Sequence, residues 1–167
     1  EGVEERVEFK VADAQTLPFE DSTFDAVICE SMLAFLKDKR KALREMIRVT
    51  KPGGYIGFNE TTWIKTPLPS ELIKCFTLIA EEVELLTPTD WKELLESFRL
   101  RDTVVRTYKI TALRDFIDRT KLVGLRRALR AWFRFILNPS YWSVIKFLRP
   151  PKNMYEYYGY GIYVGRK

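Results

Sequence analysis

Apolar and polar positions along the chain switch between two periods. Val7-Glu8-Phe9-Lys10-Val11 alternates at the period of two that turns one face of a strand toward a core. A polar loop follows at Asp13-Ala14-Gln15, closed by Pro18. Phe24-Asp25-Ala26-Val27-Ile28-Cys29 is more continuously apolar, the pattern of a central strand covered on both faces. Residues 37–49 take up the helical period. Ala42, Leu43, Met46, Ile47 and Val49 form the apolar stripe, with Lys39, Arg40, Arg44, Glu45 and Arg48 largely on the solvent side. Asp38 suits the free N–H groups of the first turn. Lys51-Pro52-Gly53-Gly54 stops the helix, and Tyr55-Ile56-Gly57-Phe58 reads as the next strand.

Pro67 and Pro69 make residues 63–69 irregular, and a helix is expected over about 70–82. Thr87 as N-cap, Pro88 at the first helical position and Asp90 two positions later start another, which carries Trp91, Leu94, Leu95 and Phe98. Residues 103–110 alternate as a strand. From 112 to 137 the helical period returns in Leu113, Phe116, Ile117, Leu125, Leu129, Trp132, Phe133 and Ile136, with Gly124 placed to break the run in two. Arg126, Arg130 and Arg134 recur every four residues along another face. Asn138-Pro139-Ser140 ends the run, and 141–158 stays aromatic and basic. Gly159-Tyr160-Gly161-Ile162-Tyr163-Val164-Gly165 closes the chain's pattern as a strand whose glycines thin one face for close packing.

Strand, loop, strand, helix, glycine turn, strand is the order of a parallel α/β sheet. Ligands of such sheets lie outside the carboxyl ends of the strands, here Asp13-Ala14, Glu30-Ser31-Met32 and Asn59-Glu60-Thr61. The 167 residues, 46% of them hydrophobic, suit one compact domain that needs no staple. The two cysteines, Cys29 and Cys75, are too far apart for a CxxC pair, and histidine is absent, which excludes imidazole bases, Ser–His–Asp triads and His-ligated zinc. Residues 1–100 hold 13 basic and 19 acidic side chains, residues 101–167 hold 15 and 4. A basic second half attracts nucleic acid, anionic lipid or an acidic substrate and does not choose among them. No run approaches the roughly 18–20 apolar residues of a membrane span, and no leader opens the chain, so the expected location is cytoplasmic, with peripheral membrane contact through 112–137 as an addition.

Three segments carry a resemblance: Val11-Ala12-Asp13-Ala14-Gln15-Thr16-Leu17-Pro18-Phe19, then 24–29, then Leu43-Arg44-Glu45-Met46-Ile47-Arg48-Val49-Thr50-Lys51-Pro52-Gly53-Gly54. Their order and separation over 7–60, a third of the chain, resemble class I S-adenosylmethionine-dependent methyltransferases. The nearest group is the small-molecule and lipid methyltransferases related to the ubiquinone and sterol enzymes. The resemblance implies S-adenosylmethionine as cofactor and a Rossmann-like sheet of strand order 3-2-1-4-5-7-6. It implies that the Asp13 carboxylate accepts from the adenine amino group and that Ala14 offers its N–H to the ring. Leu17 and Phe19 become apolar neighbours of the adenine or of the sheet. Cys29, Glu30 and Ser31 fall beside the methionine part of the cofactor, and Leu33, Phe35, Leu36 and Asn59 by the acceptor pocket. Gly53-Gly54 match a structural turn.

One departure matters: the family's glycine-rich loop after its first strand, and the ribose-binding acidic residue after its second, have no counterpart in these 167 residues. The expected fold is therefore an α/β methyltransferase sheet incomplete at its N-terminal side: a partial core over 1–111, a helical insertion or cap over 112–157 and a closing strand over 158–167. The segment opens at Glu1 without an initiator Met, which favours an upstream part. Without strands beside it, 24–29 presents an apolar edge that invites a second copy, a homodimer, unless it is covered in cis. The favoured activity is methyl transfer to a small-molecule or lipid acceptor, with no metal and with Glu30 as the one nominated proton acceptor. The alternatives are a methyltransferase-like partner protein without catalysis, and a nucleic-acid methyltransferase. The last is disfavoured because Asn59-Glu60-Thr61-Thr62 does not match the Asn/Asp-Pro-Pro-Tyr/Phe motif of amino-directed enzymes.

Overall fold

The computed structural model describes residues 4–79, 83–111, 117, 120–138, 151 and 153–167. Four strands, β1 (Phe24–Glu30), β2 (Thr50–Trp63), β3 (Arg101–Lys109) and β4 (Tyr158–Arg166), form one sheet of spatial order β1-β2-β4-β3. β1 and β2 are parallel; β4 runs antiparallel to both β2 and β3. That is the 4-5-7-6 half of the order implied by the resemblance, so the sheet is the partial one expected.

Helix α1 (Lys39–Val49) makes the crossover from β1 to β2. It starts where Asp38 accepts from Lys41 N–H at 2.8 Å. Its stripe of Ala42, Leu43, Met46 and Val49 is fully buried against the sheet. Helix α2 (Ser70–Ile79) ends within the span expected for it. Helix α3 (Pro88–Ser97) has the full capping box: Asp90 N–H donates to Thr87 Oγ1 at 3.2 Å, and Thr87 N–H donates to Asp90 Oδ2 at 2.8 Å. Gly124, at φ 83°, separates the helical residues 120–123 from α4 (Leu125–Leu137), as the sequence suggested. A single turn, α5 (Met154–Tyr157), leads into β4. The rest of the expected 112–157 insertion lies outside the described residues.

The core lies on one face of the sheet, where β2 contributes Ile56 and Phe58 and α3 contributes Trp91, Leu94 and Leu95. The core face of β4 reads Gly159, Gly161, Tyr163, Gly165, all buried. Each glycine makes room for a neighbour: a Cβ at Gly161 would run into the side chain of Tyr163, which stacks on Phe58 with centroids 5.0 Å apart, one at Gly159 into Tyr108 O and Ile64, and one at Gly165 into Leu100.

Three expectations are corrected. Residues 7–11 are no strand; Phe9 and Val11 lie open to solvent. In the implied order two strands separate that segment from β1, and without them its backbone has no ladder to join. β1 is for the same reason an edge strand, not a strand covered on both faces, and Ile28 is 82% exposed. Third, Glu45 and Arg48 do not simply face solvent. Arg48 Nη1 donates to Phe19 O (2.8 Å) and Asp21 Oδ1 (2.7 Å), Nη2 to Leu17 O (3.0 Å) and Glu45 Oε2 (2.7 Å), and Nε to Glu45 Oε1 (2.8 Å). Glu45 Oε2 also accepts from Leu17 N–H at 2.8 Å. The pair fastens the 17–21 segment to α1.

Hydrogen bonds from Arg48, joined by the Leu17 N–H, hold the Glu45 carboxyl down at about 2 against the opposing pull of burial. A depressed carboxylate stabilises the fold fully above its unfolded pKa, about 4.3, and loses that contribution as pH falls toward the folded value. Denaturant unfolding from pH 5 to pH 2 should therefore show stability falling with acid, less steeply in Glu45→Gln than in the parent. Equal slopes would show that the pair does not fasten the segment.

Candidate functional site

The parallel pairing of β1 with β2 sets Glu30, the last residue of β1, beside Asn59, from which β2 runs on to Trp63. Ser31 leaves β1 at φ 50°, a left-handed conformation that turns the chain off the sheet at once. Asn59 holds that turn. Its Oδ1 accepts from Ser31 N–H at 2.9 Å and from Ser31 Oγ at 3.2 Å, and its backbone carbonyl also accepts from Ser31 N–H at 3.0 Å.

The next residues wind into a short 3-10 turn, Leu33–Phe35. The first amides of such a turn have no partner within it. Glu60 supplies one: its Oε1 accepts from Leu33 N–H at 2.5 Å. Glu60 is 1% exposed. Burial drives its carboxyl pKa up, opposed by the amides of Leu33, Ala34 and Met32 and by the charge of Lys39. Lys39 is itself buried and ties off the far end of the turn, donating to Leu36 O at 3.0 Å and to Glu84 Oε2 at 3.3 Å. The whole 31–36 connection is thus pinned by β2 at its start and by α1 at its end.

Cys29, Glu30, Ser31, Leu33 and Asn59 all come together here. Cys29 is a core residue whose thiol burial, with the Glu60 charge second, pushes up to about 11, which leaves it protonated and unreactive at neutral pH. Glu30 is exposed at the strand end. Leu33 is fully buried in the core, Leu36 is half-buried and Phe35 is exposed. A cavity of about 540 Å³ opens beside the turn between Lys37, Lys39, Glu84 and Glu93, and none of Leu33, Phe35, Leu36 and Asn59 lines it.

Asp13 and Ala14 sit on a separate loop, just before the 17–21 segment that the Glu45–Arg48 pair fastens. Asp13 Oδ1 accepts from Gln15 N–H at 2.8 Å, and its carbonyl accepts from Thr16 N–H at 3.0 Å. The carboxylate therefore caps its own loop, with acceptor capacity left on an exposed group. Ala14 packs, half-buried, against the core. Phe19 meets Phe24 edge to face with centroids 5.0 Å apart, so its ring belongs to the fold.

Glu60 has a part that the sequence expectation did not give it: the strand expected to end at Phe58 runs on to Trp63 and carries Glu60 inside it. The signal was its phase. In β2 the core-facing positions are Ile56, Phe58, Glu60 and Thr62, and a carboxylate on that face must find donors. Removing the acceptor in Glu60→Leu should cost about 1–3 kcal/mol in urea unfolding and speed hydrogen exchange at the Leu33 amide, while Glu60→Gln, which keeps a carbonyl oxygen, should lose less. An unchanged Leu33 exchange rate in Glu60→Leu would show that the turn is held by something else.

Comparison with known proteins bears on this geometry. The methyltransferase domain family matches residues 1–58. Norajmaline N-methyltransferase of Rauvolfia serpentina is 48% identical over 56 residues, 34% of this chain and 19% of that protein. The ubiquinone/menaquinone biosynthesis C-methyltransferase of Idiomarina loihiensis is 47% identical over 55 residues, 33% of this chain and 22% of its own length. The chain thus spans about a fifth of the length of these two relatives. The structure of Haemonchus contortus phosphoethanolamine N-methyltransferase 2, in complex with phosphomonomethylethanolamine and S-adenosylhomocysteine, superposes on 93% of this chain and 36% of that one. Its TM-score is 0.72 at 14% identity, a likeness of fold alone. Over its opening 58 residues the chain thus belongs to the methyltransferase domain family, and the sheet behind them has the 4-5-7-6 order expected of class I S-adenosylmethionine-dependent methyltransferases.

Proposed function

We propose that this chain carries the adenine and methionine side of a methyl-transfer site that acts on a small-molecule or lipid acceptor. The observation that carries the reading is the Ser31 turn at the carboxyl end of β1, pinned by Asn59 of the neighbouring β2, the end of the sheet where ligands of such folds lie. The residues fit the cofactor's chemistry. Asp13 retains an acceptor for an exocyclic amino group, which an ionised carboxylate, having no donor, discriminates well. Ala14 and Gln15 are the central residues of the turn that the Thr16 N–H to Asp13 carbonyl bond closes.

S-adenosylmethionine, when bound, supplies an electrophilic methyl group on a sulfonium. What remains for the protein is alignment of donor and acceptor and exclusion of water. In this reading Asp13 and Ala14 fix the adenine, and the Ser31 turn shapes the methionine end. Glu30, exposed at the same strand end, takes a proton from an acceptor hydroxyl or amine. Cys29 stays protonated and forms the wall beneath them.

Calorimetry of S-adenosylmethionine on the longest natural polypeptide containing residues 1–167 tests the assignment. Asp13→Ala should weaken binding by about ten- to a hundredfold, the worth of a hydrogen bond to a charged group. Asp13→Asn keeps an acceptor for Gln15 N–H and loses the charge, so it should weaken binding while sparing the loop. Unchanged affinity in both variants would reduce Asp13 to a loop cap. No binding by the parent would favour the partner-protein alternative. The 167 residues by themselves, without a glycine-rich loop, should bind less tightly than micromolar.

A further inference from the structure

We propose that helix α4 docks the protein on an anionic lipid surface, lying flat with one apolar row in the bilayer. The inference rests on the helix alone and is independent of the methyl-transfer reading. Leu129, Phe133 and Leu137 follow one another at intervals of four along α4, and Leu122 lies in the helical residues 120–123 just before the Gly124 break. All four are open to solvent: Leu122 is 90% exposed, Leu129 50%, Phe133 64% and Leu137 76%. A row left in water over about two turns, with a further exposed leucine just before the helix, is not what a packed cap presents.

The charges complete the pattern. Residues 120–138 contain Lys121, Arg126, Arg127, Arg130 and Arg134 and no Asp or Glu. Arg126, Arg130 and Arg134, all exposed, form a second row. At 100° per residue it runs about 60° around the helix from the Leu129–Leu137 row. Guanidinium groups so placed reach up to head-group phosphates while their stems and the neighbouring apolar side chains sink into the acyl boundary. At 13 residues α4 is about 20 Å long, against a hydrocarbon core of about 30 Å. No described helix is long and apolar enough to cross a membrane.

Two other partners fit less well. A nucleic-acid backbone would engage the arginines and leave Leu129 and Leu137 in water. An acidic protein would have to offer a groove to a convex ridge, whereas a fluid bilayer moulds itself to one.

Vesicle co-sedimentation of the whole chain decides the matter. Binding should be weak on pure phosphatidylcholine, rise steeply when about a third of the lipid is phosphatidylglycerol, and fall with salt. The triple variant Arg126/Arg130/Arg134→Gln keeps good helix formers and should bind about a hundredfold less, roughly fivefold for each charge removed. A second triple, Leu129/Phe133/Leu137→Ser, keeps every charge and should bind anionic vesicles at least tenfold less, since each side chain it removes contributes buried apolar area. Circular dichroism of both variants confirms the fold. Absence of binding at every composition, or full binding by the serine variant, would overturn the proposal. So would binding to single-stranded RNA that the glutamine triple abolishes and the serine triple leaves intact.

Discussion

Arg48 is the fastener on which the front of this molecule depends. From one position near the end of α1 it donates five hydrogen bonds to Leu17, Phe19, Asp21 and Glu45, two of them to backbone carbonyls. The opposite face of the same helix buries Leu43 and Met46 in the core. One rigid element therefore reads the sheet on one side and holds the loop on the other. A surface ion pair contributes little on its own. This pair differs because its carboxylate and guanidinium are only partly exposed and because each also bonds the backbone of the segment it holds.

The same logic recurs at the other end of α1. There the β1–α1 connection is short, turns sharply at Ser31 and exposes the amides of a 3-10 turn toward the sheet. Asn59 and Glu60, adjacent on β2, divide the work: the half-buried Asn59 holds the turn at Ser31, and the buried Glu60 caps Leu33. Site residues in this family of sheets must be placed accurately, and these two side chains hold the amides of Ser31 and Leu33 in place. The site's electrostatics follow from burial. Glu60 resists ionisation, Cys29 stays a thiol, and the open carboxylate is Glu30.

Much of this was legible in the order of residues, and the exceptions have physical causes. Local signals translated well. Asp38, the Thr87-Pro88-Asp90 box, Gly124 and the alternating glycines of β4 each act within a few residues of themselves, and each did what its chemistry suggests. Signals that depend on a neighbour failed. Val7–Val11 has the alternation of a strand but no strand beside it, and the apolar run at 24–29 looks central yet forms an edge. Arg48 and Glu45 lie on the polar side of a helical wheel, which cannot show that the 17–21 segment folds over them. Glu60 was visible only as a charged residue in a core-facing phase, and its donors come from a turn 27 residues away.

The account's central claim is that the Asp13 loop and the Ser31 turn are two parts of one cofactor site. The most direct measurement is a two-dimensional amide NMR titration of S-adenosylhomocysteine into the longest natural polypeptide containing these residues. The account predicts that the amides of Ala14, Gln15, Glu30 and Ser31 shift together with one dissociation constant, while those of β3 stay in place. Shifts confined to other regions, or two independent constants for the two segments, would contradict it.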